Sequence, residues 1–247
     1  MVIIKNAEQI EGIKKSCRVV RDLLNYLHEY IKPGITTLEI DTIAHDYILK
    51  HNAIPNFLNY NGFPKSICTS VNDEVVHGIP SKRILHSGDI IGIDCGVILN
   101  GYHSDAARTI RVGQVSEEVD RLVVVTEECF YKGIEQIKAG ARIGDISYAI
   151  QRHAEDNGYS VVRELTGHGV GLDLHEDPSI PNYGKPGFGL RLSEGMTLAI
   201  EPMINLGERY VYQEENNWTI RTEDGKPSAH YENTIVVLSD GVEILSL

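Results

Sequence analysis

Apolar positions in the first thirty residues recur with the period of a helix. From Ala7 to Ile31, the residues Ile10, Ile13, Cys17, Val20, Leu24, Leu27 and Ile31 follow one another at steps of three and four, which predicts an amphipathic helix with one face in a core. The next stretch, IKPGITTLEIDTIAHDYILKHNA, predicts a turn, an N-cap at Thr36 or Thr37 and a second amphipathic helix. The same order returns later in SEEVDRLVVVTEECFYKGIEQI and IKAGARIGDISYAIQRHAEDNG. Ile31-Lys32-x-Gly34 aligns there with Ile137-Lys138-x-Gly140, and Ile40 with Ile146, at an offset of 106. Short β-rich runs follow each helix pair: KSICTSVN, DIIGIDCGVIL and AARTIRVG, then MTLAIEPMI, WTIRTED and YENTIVVL. These patterns predict an internal pseudo-repeat, approximately residues 1–112 and 113–247. No Pro/Gly/Ser-rich linker separates the halves, so one fused α/β (α+β) domain is expected.

Composition narrows the class. With 247 residues and 42% apolar content, the chain can furnish a sizeable core. It has no run of eighteen apolar residues, and its N-terminus lacks the apolar stretch of a signal peptide, so a soluble, cytoplasmic chain is expected. The four cysteines, Cys17, Cys68, Cys95 and Cys129, form no C-x-x-C pair, which argues against a zinc ribbon or disulfide framework and for reduced thiols. A net charge of −12 argues against a general nucleic-acid binder and gives no reason to expect DNA as a partner.

The acids within apolar runs carry the chemistry. TLAIEPMI buries Glu201 among hydrocarbon side chains, and an ionised carboxylate there costs several kcal/mol unless its charge is compensated. Asp94 follows the apolar run IIGI, Asp105 stands eleven residues on at the lip of the next strand, and Glu232 immediately precedes the run NTIVVL. Nearby sequence offers few cations beyond Arg108 and Arg221, so two divalent metals are the better balance for four negative charges. Nitrogen donors are available in ELTGHGVGLDLHEDP, where His168 and His175 lie seven residues apart among glycines. That stretch matches neither H-E-x-x-H nor the dinucleotide fingerprint; its glycines are expected to let the backbone approach a ligand or metal. His77 is a third candidate, and His103 and His230 flank the acids closely enough to support them from behind.

Taken together, Asp94, Asp105, GHGVGLDLHEDP, the IEP of Glu201 and the SAHYENT of Glu232 resemble the methionine aminopeptidases, in the short bacterial type I form, over essentially the whole chain. Only 26 positions separate His175 from Glu201, leaving no room for the insertion of type II relatives. The resemblance implies the pita-bread fold, a pseudo-two-fold curved antiparallel sheet backed by helices. It implies a dinuclear aminopeptidase in which a metal-bridged water or hydroxide removes the N-terminal methionine from nascent chains, with small second residues preferred. Asp105 and Glu232 are then the bridging ligands, Asp94 completes one site, and His168 and Glu201 the other. The metal itself is left open among Co, Mn, Fe and Zn.

Glu201 also moves a proton in this resemblance, His175 stabilises the tetrahedral intermediate, and His77 contacts the scissile amide or leaving amine. Tyr60, Phe63, Cys68, Leu174 and Trp218, with His77 and His175, would form the methionine pocket. Transient contact with the ribosome, a monomer and no membrane association are further implications. The chain departs from the family pattern at Phe57, Asn61, Phe63, Gly96, Leu174, His230 and Asn233, none of them a metal ligand. Two rival readings are an X-Pro aminopeptidase or dipeptidase of the same fold and a non-enzymatic relative. The single-domain length and the Tyr60/Trp218 pair argue against the first, and the retained ligand set against the second.

Overall fold

Two capping boxes start the first helix pair. Asn6 and Thr36 each accept the backbone N–H three residues on, while Gln9 and Glu39 reach back to the cap. They open α1 (Ala7–His28) and α2 (Thr37–Lys50) of this computed structural model, which describes all residues from Met1 to Leu247. Helix α1 ends three residues before the predicted Ile31, because Glu29 caps it and the chain turns toward α2. The second pair is α3 (Glu117–Ile134), capped by Ser116, and α4 (Ile143–Asp156), both on the segments whose sequence repeats the first pair.

The strands run in chain order as β1 (Ile54–Pro55), β2 (Cys68–Val71), β3 (Glu74–Val76), β4 (Ile90–Leu99) and β5 (Tyr102–Arg111) in the first half. The second half adds β6 (Ser160–Val161), β7 (Thr166–Gly169), β8 (Glu176–Pro181), β9 (Thr197–Ile200), β10 (Met203–Asn205) and β11 (Val211–Gln213), then β12 (Ile220–Thr222), β13 (Ser228–His230), β14 (Glu232–Val237) and β15 (Val242–Ile244). Nine of them form one antiparallel sheet along the path β1-β4-β5-β14-β9-β7-β8, with β2 on β4 and β15 on β14. Strands of both halves therefore share one sheet, joined where β5 pairs β14. Behind it lie two separate cores. One cluster of 19 buried residues comes wholly from the first half; another of 23 comes from the second half apart from Ile90.

Two strand boundaries differ from the sequence expectation. Asp105 lies inside β5 rather than at its lip, since ladder pairing continues through it to Tyr102, whereas Asp94 lies within β4 as the run DIIGIDCGVIL predicts. Conversely, MTLAIEPMI is not one strand. Pro202 lacks the N–H a ladder needs, so the chain leaves the large sheet after Ile200 and enters a small one at Met203, with Glu201 at the break.

A buried ion pair ties the N-terminal segment to this sheet. Lys5 Nζ pairs with Glu176, and both side chains are almost wholly removed from solvent. The second function of Glu176 is to accept the Leu172 and Asp173 N–H groups at 2.7 and 3.1 Å, which shapes the loop carrying Leu174 and His175. Lys5→Met is expected to cost about 3–5 kcal/mol by leaving a buried carboxylate unpaired. Denaturant melts would measure that cost; a loss under about 1 kcal/mol, the scale of an exposed pair, would show that the pair does not hold the loop.

Candidate metal centre

Sheet register brings the candidate ligands to one face. Residues opposite one another across a ladder point the same way, as do residues two apart along a strand. Asp94 pairs with Ala107, and Ala107 with Glu232, so these three form one row across β4, β5 and β14. Asn233 pairs with Ile200, which sets Glu201 at the end of that same row. The neighbouring row runs from Gly96 to Asp105, then through Thr234 and Ala199 to His168. Four carboxylates and one imidazole thus converge from five strands or strand ends, with the small side chains of Ala107 and Ala199 between them.

The electrostatics of this group are one-sided. Asp105 and Glu232 are 4% and 2% exposed. Burial raises the Asp94 carboxyl to about 7. Burial and then the neighbouring negative charges push Asp105, Glu201 and Glu232 well above the usual carboxylate range. Neither nearby arginine bonds their carboxylates. Arg108 gives its N–H groups to the carbonyls of Ala107 and Glu232, at 2.8 and 2.6 Å, and to Asn233 Oδ1 at 2.7 Å. Arg221 pairs with Asp73, Glu74 and Glu214. Asp94 Oδ1, Asp105 Oδ1, Glu232 Oε1 and His230 Nε2 are buried with no hydrogen-bond partner.

A divalent cation fits this donor set. Ligand atoms of Asp105, His168 and Glu232 lie within 4.8 Å of one another. His168 Nδ1 lies 2.9 Å from the Gly169 carbonyl, which places the ring proton on Nδ1 and leaves the Nε2 lone pair free. That Nε2 stands 3.5 Å from Glu201 Oε1 and 3.8 Å from Asp105 Oδ2. Burial lowers the His168 pKa to about 3, so the ring stays neutral and able to donate its lone pair to a metal.

Beside the acids lies a cavity of about 470 Å³. Tyr60, Phe63, Cys68, His77, Leu174, His175 and Trp218 all border it, as do Asp94, Asp105, His168, Glu201 and Glu232. Phe63 and Trp218 meet edge to face with ring centres 5.1 Å apart, and they pack with Phe57, Cys68 and Leu174 into an apolar wall. His175 stacks toward His168 at 4.3 Å, with its Nδ1 2.8 Å from the Tyr60 hydroxyl. His77 holds a left-handed backbone (φ 59°) beside Trp218, the sort of strained conformation that clusters at functional sites. Val76, Leu165 and Met203 also line the wall. The sequence pattern does not mark them; their only signal is nearness to His77, His168 and Glu201 in the chain.

Two expectations about this region change, and two departures from the family pattern prove to be linked. His103 does not support the acids, because its Nδ1 bonds Asn56 Oδ1 at 2.9 Å; His230 does face them. The glycines around His168 serve strand contact rather than ligand approach: a Cβ on Gly167 would run into the Ala199 carbonyl, and one on Gly169 into that of Asp177. The departures at Phe57 and Gly96 form a single packing exchange. A side chain at Gly96 would meet Phe57 Cε1 at 3.1 Å and the Ser104 carbonyl at 2.6 Å, so the large ring takes the space the glycine leaves.

A model of metallopeptidase family M24 matches residues 11–239. The methionine aminopeptidase of Clostridium acetobutylicum is 54% identical, with 100% of this chain and 99% of that protein covered. Methionine aminopeptidase 1 of Bacillus subtilis is 52% identical over 100% of this chain and 99% of its own length. Among solved structures, the methionine aminopeptidase of Rickettsia prowazekii superposes with a TM-score of 0.99 at 45% identity, covering both chains fully. The antiparallel sheets backed by helices are the expected pita-bread arrangement. The prolidase of Pyrococcus horikoshii OT3 shares that fold alone, at 24% identity and with 64% of its chain covered.

Gly167→Ala is expected to push β7 from β9 and displace His168. The overpacking costs about 1–3 kcal/mol, read as a lower Tm, and Co²⁺ affinity falls with it. A variant with wild-type Tm and Co²⁺ affinity would show that the close strand contact has no part in placing His168.

Proposed function

We propose that this chain, which belongs to metallopeptidase family M24, is a metal-dependent aminopeptidase that removes methionine from the N-termini of nascent proteins and peptides. One observation carries the reading: four carboxylates and an imidazole converge on one sheet face with no cationic side chain bonded to the acids, at the edge of a cavity walled by apolar and aromatic groups. The catalytic unit in this reading is the whole chain, residues 1–247, built from two related halves.

Asp94, Asp105, His168, Glu201 and Glu232 would hold two divalent ions. Their donor set of carboxylates and one imidazole suits Mn, Fe, Co or Zn. When bound, such ions act as Lewis acids that polarise the scissile carbonyl and lower the pKa of water.

The remaining steps fall to side chains of the cavity. Tyr60, Phe63, Cys68, Leu174 and Trp218 take up the unbranched thioether of methionine, for which an apolar, polarisable lining is suited. Trp218 and Phe63 exclude water from that end, so the first residue seats before hydrolysis. When the Tyr60 hydroxyl donates to His175 Nδ1, the ring proton lies on Nε2, which makes His175 a donor to the developing oxyanion. His77 stays neutral because burial lowers it to about 4; it bonds the scissile amide and orients the leaving amine. Glu201 accepts the proton released by the attacking water at its carboxylate and passes it toward that amine.

Release of methionine from Met-Ala-Ser, compared with cleavage of Ala-Pro-Ala, tests the substrate class; preference for the second peptide would favour the X-Pro reading. Asp105→Ala or Glu232→Ala is expected to lower bound metal and to reduce turnover to background. Near-normal turnover by a folded variant of either residue would remove it from the ligand set. His77→Ala is expected to retain its metal while kcat falls about 10²–10³-fold, the range for loss of one hydrogen bond to the reacting group. Metal loss with unchanged turnover of the loaded fraction would instead make His77 a structural residue.

A further inference from the structure

Glu201 lies between two imidazoles. Its Oε1 is 3.5 Å from His168 Nε2 and its Oε2 is 3.7 Å from His230 Nε2. His168 belongs to the proposed ligand set, whereas His230 has no role in the reaction described above. The His230 side chain is 3% exposed, and its Nε2 has no hydrogen-bond partner. An unpartnered buried polar atom costs about 1–3 kcal/mol, so its placement calls for a physical reason.

The backbone holds this ring firmly. His230 donates its N–H to Thr109 Oγ1 at 2.9 Å, and the Thr109 hydroxyl donates back to the His230 carbonyl at 2.8 Å. In the small sheet His230 pairs with Met203, two residues beyond Glu201. The side chain therefore projects from a strand clamped on both sides, with Glu201 Oε2 in front of it and Glu232 Oε2 at 4.0 Å. Arg108 is not available to bond Glu201, since its N–H groups go to backbone carbonyls and Asn233. Behind the ring lies a second cavity of about 450 Å³, bordered by Asn25, His28, Arg108 and Glu127. His230 is thus the partition between that cavity and the acids.

We propose that His230 is a positioning residue whose Nε2–H holds Glu201 Oε2 and thereby turns Oε1 toward His168 and the cation these two residues share. This rests on the assignment of His168 and Glu201 as ligands. A carboxylate that gives one oxygen to a metal keeps lone pairs on the other, and a fixed donor there sets its orientation. Closing 3.7 Å to hydrogen-bond distance takes a shift of about 0.5–1 Å, within reach of a carboxylate rotation.

His230→Leu removes the donor, while His230→Gln places an Nε2–H donor at similar reach. Each protein is prepared metal-free and titrated with Co²⁺, following the visible absorption spectrum and apparent Kd, and kcat and KM are then measured on Met-Ala-Ser. The Leu variant should show an altered spectrum and about a 10–100-fold loss in Co²⁺ affinity or kcat. Its KM should stay within about twofold, because substrate binding itself is untouched. The Gln variant should recover most of both losses.

A folded Leu variant with the wild-type spectrum, affinity and kcat would overturn the proposal, as would a Gln variant impaired as much as Leu. Should Leu fail to fold, His230→Asn replaces it: one methylene shorter than Gln, it should be impaired while remaining folded, and an unimpaired Asn would overturn the proposal. Glu201→Gln separates the two levels. If that variant keeps the wild-type Co²⁺ spectrum, the ligand assignment falls and the His230 role with it. If it changes while the Leu variant does not, the His230 role alone falls.

Discussion

Uncompensated negative charge in the middle of the sheet is the constraint around which the rest of this structure is arranged. Removing one carboxylate from water costs several kcal/mol, and a whole domain has only about 5–15 kcal/mol of net stability. Asp94, Asp105, Glu201 and Glu232 cannot all be ionised there without counter-charge. Without metal, burial shifts all four toward the protonated form, and neighbouring negative charge adds to the shift at Asp105, Glu201 and Glu232. Ligation of a divalent ion by these groups, as proposed, would release those protons, so metal uptake and proton release would be coupled through one set of oxygens.

The surrounding structure holds the acids in place without neutralising them. Arg108, the nearest guanidinium, bonds the carbonyls of Ala107 and Glu232 and stacks on Tyr231, which keeps β5 and β14 in register while leaving the carboxylates free. Asn233 completes that clamp by accepting from Arg108 at 2.7 Å and from the Ser246 hydroxyl at 3.0 Å. Several departures from the family pattern have a physical context of this kind. Phe57 and Gly96 exchange volume, Asn233 anchors Arg108, and His230 faces Glu201. They alter what lies behind and beside the five ligand-type residues and leave those residues themselves in place.

The helices were readable because caps and a 3.6-residue period are local properties: Thr36 closes a capping box on Glu39, and Ser116 caps α3. The candidate ligands were readable for a related reason, since an acid inside an apolar run conflicts with its own neighbours. Strand limits were harder to read. A buried acid interrupts the hydrophobic pattern without interrupting the ladder, so Asp105 looked terminal and is internal. Leu165 and Met203 carried no signal beyond nearness in the chain to His168 and Glu201, because ordinary apolar residues give no sign of whether they face a core or a cavity.

The amino-acid order by itself determined which donors are present, where the helices begin, and that charge must be balanced inside the fold. Tertiary structure decided how those donors meet. Pairing of β5 with β14 joins residues more than a hundred positions apart, and a slip of one residue would turn Glu232 to the opposite face. Only the folded chain shows that Gly169 fixes the His168 tautomer and that Arg221 is engaged by three acids elsewhere. Local patterns encode the preferences of neighbours along the chain, whereas register and ion pairing depend on contacts that exist only once distant strands have come together.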